Sequence, residues 1–245
     1  MTSSIPVTAT RPAYGQELQA VLLDMDGTLV DTEGIWWAAE TGVFADLGHV
    51  LDEVHKSVVV GGPMARSVGH LMEVTGTTAT LAELMVAIDT RFEELIEQRG
   101  APLMPGARRL LTELAAHGVP TALVSASHRR TIDAMLRTLG AENFAFTLAG
   151  DEIGRTKPHP DPYLTAARRL GADPAHCVVV EDTVTGVASG EAAGCHVVAV
   201  PSLVPITAAP RRTVVGSLGQ VDVPFLRSLI GGSAAADVNM DLHRG

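Results

Sequence analysis

The sequence predicts an α/β fold: a parallel sheet covered by helices on both faces and interrupted, after its first strand, by a helical insert. Three observations carry this. From residue 101 to about 200, apolar runs of four to six residues alternate with segments of helical periodicity. Unbroken apolar runs of that length suit strands buried on both faces, as in parallel sheets. One more such run, Ala20–Asp24, stands far upstream, and the stretch between it and the rest shows apolar spacings of three and four with few strand signals.

Residues 1–16 are polar, contain Pro6 and Pro12, and are expected as a loose lead-in. "AVLLD" is a short buried strand closed by a turn signal at Gly27. The insert holds three helical patterns, "EGIWWAAETGVFADLG", "MARSVGHLMEV" and "LAELMVAIDTRFEELIEQRG". "VVVGGPMA" (58–65) breaks the first from the second, and Gly76–Thr80 the second from the third. After "APLMPG" comes the helix "ARRLLTELAAHG", stopped by glycine. The strand "VPTALVSAS" follows, then the helix "SHRRTIDAMLRTLG" with Ser127 as N-cap. "FAFTLAG" is a weaker strand, and "DPYLTAARRLG" a helix that Asp161 caps with proline in its first turn. "HCVVVED", the Gly-rich helix "TVTGVASGEAAG" and "CHVVAVPS" complete the alternation. The expected organisation is a core of 17–34 and 101–231, a helical cap of 35–100, and flexible tails of 1–16 and 232–245.

Composition narrows the function. At 245 residues with 46% apolar content, the chain can bury a substantial core without staples. No apolar run approaches the length of a bilayer, and no basic region followed by an apolar stretch marks a secretory leader. Cys177 and Cys195 form neither a metal pattern nor a disulfide framework, so a reducing cytoplasm is expected. A net charge of −10 argues against nucleic-acid and anionic-membrane partners. A small molecule is the expected partner, with the protein a monomer or weak dimer. Of 18 basic residues only Lys56 and Lys157 are lysine, and Lys157 lies in a proline-flanked loop.

The polar residues at the ends of the strands form a constellation. Asp24 closes the first strand and Asp26 follows. Ser125 and Ser127 close "ALVSAS", Glu181 and Asp182 close "VVVED", and the loop "GRTKPHPDP" adds Lys157. In open α/β sheets ligands bind beyond the carboxyl ends of the strands. Parallel strands therefore bring these groups to one edge, and an insert rooted there sits over them as a lid. Carboxylates packed together repel and shift one another's pKa, and oxygen donors of this kind call for a hard divalent cation such as magnesium. A hydroxyl and an ammonium beside that ion make a seat for a phosphoryl group. Each piece also has a plain reading: an acidic turn at Asp24–Asp26, helix caps at Ser127 and Glu181–Asp182, a solvated Lys157. The spacing excludes an EF-hand, and no Walker A, G-x-S-x-G or H-E-x-x-H sequence is present.

"DMDGTLVDTE" resembles the first signature of the haloacid dehalogenase superfamily, D-x-D-G-T-[LV]-x-D. "LVSAS", "KPHPDPY" and "VVVEDTVTGVASGEAAG" are similar to its second, third and fourth, in the family's order. The resemblance covers residues 19 to 200 and is nearest in style to the sugar-phosphate phosphatases and beta-phosphoglucomutase. It implies a Rossmann-like parallel-sheet core with an inserted α-helical cap. It implies that Asp24 attacks phosphorus and becomes an aspartyl phosphate, while Asp26 protonates the leaving alkoxide and then deprotonates water. Magnesium would be held by Asp24, the Asp26 carbonyl and Asp182, with Glu181 a ligand through water or a partner of the ligands. Ser125 and the neighbouring N–H of Ala126 would hold phosphoryl oxygens, and Lys157 would neutralise charge between nucleophile and phosphate.

The expected activity is magnesium-dependent hydrolysis of a small phosphorylated metabolite, a sugar phosphate. Asp26 argues against dehalogenation, because a departing halide needs no proton. A phosphosugar mutase is the alternative; beta-phosphoglucomutase carries a histidine where this chain has Trp36, which favours the phosphatase. A non-catalytic phosphate- or metal-binding module on the same fold is the other alternative. Within the insert, Glu33 and Arg66 are candidate substrate contacts, Arg66 beside the flexible Gly61–Gly62 pair.

Overall fold

The structure, a computed structural model, describes residues 17–59, 64–202 and 204–231. The expectations for residues 1–16, Gly61, Gly62 and 232–245 fall outside them. Six strands form one sheet: β1 (Ala20–Leu23), β2 (Thr121–Val124), β3 (Phe146–Leu148), β4 (Cys177–Glu181), β5 (His196–Ala199) and β6 (Arg212–Val214). Their spatial order is β3-β2-β1-β4-β5-β6 and every pairing is parallel. All residues of β1, β2 and β4 are buried, as their unbroken apolar runs require. Each Val or Leu so buried contributes about 1.5–3 kcal/mol.

The order reverses at β1, with β2 on one side and β4 on the other, so the crevice that binds ligands in such sheets opens at the end of β1. Register places Leu23 beside both Leu123 and Val180. Asp24, Ser125 and Glu181 consequently reach the same edge together.

Between β1 and β2 run α1 (Glu33–Asp46), α2 (Glu53–Val59), α3 (Met64–Thr75), α4 (Leu81–Arg99) and α5 (Ala107–Ala116). The first four are the cap. Helix α4 buries Leu84, Ile88, Phe92 and Ile96, a stripe at a spacing of four, and starts with a capping box between Thr80 and Glu83. Trp36 of α1 stacks on Phe92 with ring centroids 3.6 Å apart. The two chain crossings between core and cap run side by side: Asp31 N donates to Pro102 O at 2.8 Å, and Met104 N to Leu29 O at 2.9 Å.

The core continues with α6 (Arg129–Leu139), α7 (Asp161–Leu170), α8 (Val184–Ala192) and α9 (Val223–Ile230). Arg130 of α6 reaches Glu93 of α4 at 3.0 Å, bringing the cap down beside the loop that follows β2. Among the described residues no helix is long and apolar enough to cross a membrane.

The structure departs from the sequence expectation in five places. Helix α2 occupies part of what read as a break; Asp52 accepts from Val54 N and His55 N and starts it, while its valines had masked the helix. Strand β6 and helix α9 were not anticipated. The first is three half-buried residues on a sheet edge, and the second is announced by Asp222, which caps Phe225 N at 2.7 Å. Ser127 is not the cap of α6: that position is His128, with no side-chain cap bond. Asp161 lies within the first turn of α7 rather than before it, and its carboxylate pairs with Arg155 at 2.9 Å.

Candidate active site

Lys157 is the centre of the site. Its side chain is 6% exposed, and its Nζ donates to Asp24 Oδ1 at 2.5 Å, to Glu181 Oε1 at 2.6 Å and to Val124 O at 2.9 Å. Three acceptors use all three ammonium protons. Burial alone would lower the Lys157 pKa, but Asp24 and Glu181 outweigh it and hold the pKa well above that of free lysine.

Glu181 is saturated. Oε1 accepts from Lys157 and from Tyr163 Oη at 2.9 Å, and Oε2 accepts from Asp182 N, Thr183 N and Thr183 Oγ1 at 3.0–3.1 Å. Helix α8 takes its cap from Thr183, which accepts from Gly186 N. Glu181 and Asp182 are thus free of the capping role that their position allowed.

Asp24, Glu181 and Asp182 offer oxygens that all lie within 4.8 Å of one another, and all three residues are buried. Burial, then the Glu181 charge, push the Asp24 carboxyl well above the usual range. Burial also lifts Asp182 to about 6, against the bonds it accepts from Ser202 and Thr28. With all three carboxylates ionised, Lys157 cancels one negative charge and two remain. A buried net charge of that size needs a counter-ion. An oxygen-only donor set carrying two negative charges fits a hard divalent cation, as these residues would have to hold. Gly27 makes the approach possible: its φ is +76°, and a Cβ there would run into the Asp182 carboxylate.

The Asp26 carboxylate turns away from this group. Oδ2 accepts from Ser127 Oγ at 2.7 Å and Ser125 Oγ at 3.2 Å, and the Thr32 side chain is near enough to draw the pKa of the same carboxyl down. Oδ1 is buried with no partner among the described residues. Burial raises the Asp26 pKa, which favours the protonated form that an acid requires. The two aspartates are therefore unlike: Asp24 faces the lysine and the carboxylates, Asp26 faces hydroxyls.

Among the expected residues, the structure gathers Asp24, Asp26, Ser125, Lys157, Glu181 and Asp182. Ala126 lies between the two serines and is exposed. Glu33 is the first residue of α1, half-buried, near enough to the buried Glu40 to raise its pKa. Arg66 is exposed on α3 beside Ser67, His70 and Glu73, and makes no hydrogen bond or ion pair among the described residues.

The haloacid dehalogenase-like hydrolase profile matches residues 18–194. The chain belongs to this family. Hexitol phosphatase A of Escherichia coli (strain K12) is 37% identical over 187 residues, 73% of this chain and 81% of that protein. The bifunctional riboflavin kinase/FMN phosphatase of Arabidopsis thaliana is 35% identical over 185 residues, 75% of this chain and 48% of that protein, so the chain spans about half that relative's length. A haloacid dehalogenase family hydrolase from Deinococcus radiodurans R1, solved with phosphate and sodium, superposes with a TM-score of 0.69 at 32% identity, covering 88% of this chain and 99% of that one.

Four further residues of the candidate site do not stand out as such in the sequence. Tyr163 sits in "KPHPDPY" and holds Glu181, but a tyrosine in a helix reads as core. Thr28 and Ser202 clasp Asp182 at 3.3 and 2.5 Å. Ser202 follows β5, and the strand-end rule applied to "CHVVAVPS" finds it. Thr32 lies at the hinge into the cap, where a hydroxyl reads as the helix N-cap.

Proposed function

We propose that the chain is a magnesium-dependent phosphomonoester hydrolase acting on a small sugar or polyol phosphate through an aspartyl phosphate on Asp24. The observation that carries the reading is the buried Asp24 carboxylate, bound by Lys157 at 2.5 Å and grouped with Glu181 and Asp182 in a cluster that, fully ionised, is two positive charges short of neutrality. An anionic nucleophile meets an anionic phosphate only where cations stand between them.

Asp24 and Asp182 would hold the magnesium with the Asp26 carbonyl, Glu181 standing behind them as the anchor of Lys157. The ion supplies charge neutralisation for the phosphoryl oxygens. Lys157 orients Asp24 and offsets its charge. Ser125 and the Ala126 N–H receive the phosphoryl oxygens, and the proton passes through Asp26. Relatedness to hexitol phosphatase A supports a hexitol or hexose phosphate as substrate. The stacking of Trp36 on Phe92 supports hydrolysis over mutase chemistry, because it sets an apolar ring where the mutase carries an imidazole. Two buried free thiols, Cys177 and Cys195, are in keeping with a reducing cytoplasm.

The test is phosphate release from p-nitrophenyl phosphate and from a panel of hexose, hexitol and glycolate-type phosphates, with and without magnesium. The expected result is magnesium-dependent turnover, abolished in Asp24→Asn. Failure to hydrolyse any phosphomonoester, or conversion of beta-glucose 1-phosphate to glucose 6-phosphate without free phosphate, overturns it.

A further inference from the structure

The two oxygens of Asp26 have unlike surroundings, and Ser127 makes the difference. Oδ2 accepts from Ser127 Oγ at 2.7 Å and, more weakly, from Ser125 Oγ at 3.2 Å, while Oδ1 has no partner among the described residues. A carboxyl proton settles on the oxygen that is not already accepting from donors. Hydroxyls on Oδ2 therefore direct the acid proton to Oδ1, the one atom of the group left open. A buried polar atom without a partner calls for an explanation, and a proton held ready for transfer is one.

Ser127 is fixed for this role. It does not cap α6. Its N–H donates to Ser125 Oγ at 3.0 Å, and its carbonyl accepts from Gly150 N at 2.9 Å. Gly150 permits the loop to close, since a Cβ there would run into the Ala126 carbonyl. Ser125 has one hydroxyl proton, and a phosphoryl oxygen in its seat competes with Asp26 for it. Once substrate draws on Ser125, Ser127 is the serine still holding Oδ2.

We propose that Ser127 is a positioning residue that holds Asp26 Oδ2 and so presents Oδ1 to the leaving-group oxygen. The inference rests on the phosphatase reading and on Asp26 as its acid. In the first half-reaction an Asp24 oxygen bonds to phosphorus, and the bond from phosphorus to the leaving oxygen breaks with its electron pair going to that oxygen. The proton on Asp26 Oδ1 moves onto it. In the second half-reaction water attacks phosphorus, its proton returns to Oδ1, and the electron pair of the acyl-phosphate bond returns to Asp24.

Leaving-group dependence isolates this role. Nitrophenolate departs as a stable anion and needs no acid, whereas an alkoxide does. The constant kcat/KM reports the steps up to leaving-group departure. It is measured in magnesium for p-nitrophenyl phosphate and for the best alkyl ester among hexitol and hexose phosphates, in wild type, Ser127→Ala and Ser127→Thr. We expect Ser127→Ala to lower the alkyl value by about 10- to 100-fold and the nitrophenyl value by less than about threefold, because general acid catalysis and its alignment matter to the first alone. Ser127→Thr, which keeps the hydroxyl, restores the alkyl value. Thermal melts of the three proteins coincide. Equal losses on the two esters, or an unchanged alkyl value in Ser127→Ala, overturn the proposal. Wild-type protein inert on both esters overturns the phosphatase reading itself, and the inference with it.

Discussion

Replacing Lys157 by methionine keeps an unbranched side chain one atom shorter and deletes its charge. In the native site the ammonium lies 2.5 Å from Asp24 and 2.6 Å from Glu181, with a side chain 6% exposed. At an effective dielectric near 20, each contact amounts to about 6–7 kcal/mol of gross attraction. Taking the ions out of water costs several kcal/mol each, so the net loss on deleting one partner of such a buried group is about 3–5 kcal/mol. The sign with pH follows from the shifts. The raised Lys157 pKa means that its contribution is fully present below the unfolded lysine value and is lost only as pH rises through the higher folded value. Around neutrality, then, the wild type retains it. In the variant, Asp24, already raised, is raised further; the folded state binds a proton that the unfolded state does not, and stability falls as pH rises above the ordinary carboxylate range. Urea unfolding in chelator should therefore show a small deficit for Lys157→Met near pH 5 and the full deficit at pH 8. Hydrolysis should fall by about 10³-fold or more, as for loss of a preorganised charge at the reacting centre. A deficit below about 1 kcal/mol at pH 8, where buried-pair losses are several-fold larger, or one that is equal at both pH values, would refute the reasoning.

Three further outcomes follow from the same geometry. Glu40, buried in the cap with a pKa raised to about 7 by burial and the Glu33 charge, should make the wild type less stable as pH rises from the ordinary carboxylate range to about 7. Glu40→Gln should remove that slope and gain about 2–3 kcal/mol at pH 8, read from urea midpoints. Magnesium at a hundred times its Kd should stabilise the wild type by about 2.7 kcal/mol, and Asp182→Asn should lose most of that gain in thermal melts. Gly27→Ala should cost about 1–2 kcal/mol from its positive φ, and by crowding the Asp182 carboxylate it should weaken magnesium binding in a calorimetric titration.

The core was legible because its strands are buried on both faces and so carry unbroken apolar runs; β1, β2, β4 and β5 could hardly be read otherwise. β6 was not, because an edge strand of three half-buried residues has no such signature. Helix α2 hid because β-branched valines mask a short helix whose start is set by one aspartate. The site was legible where chemistry and strand ends coincide, at Asp24, Asp26, Ser125, Lys157, Glu181 and Asp182. It was illegible where a common side chain acts by position alone. Tyr163 reads as core, and only its distance to Glu181 says otherwise; Ser127 and Ser202 stand at strand ends but read equally as a cap and a loop residue, and their distances to Asp26 and Asp182 decide between the readings.

The central claim is that Asp24 carries the phosphoryl group. Rapid acid quenching during turnover of a hexitol or hexose phosphate, followed by borohydride reduction and peptide mass spectrometry, tests it directly. The account predicts that the peptide containing Asp24 acquires homoserine at that position, in proportion to the acyl phosphate present, and that Asp24→Asn gives none. Steady turnover with Asp24 unlabelled throughout, or hydrolysis that survives Asp24→Asn, would contradict it.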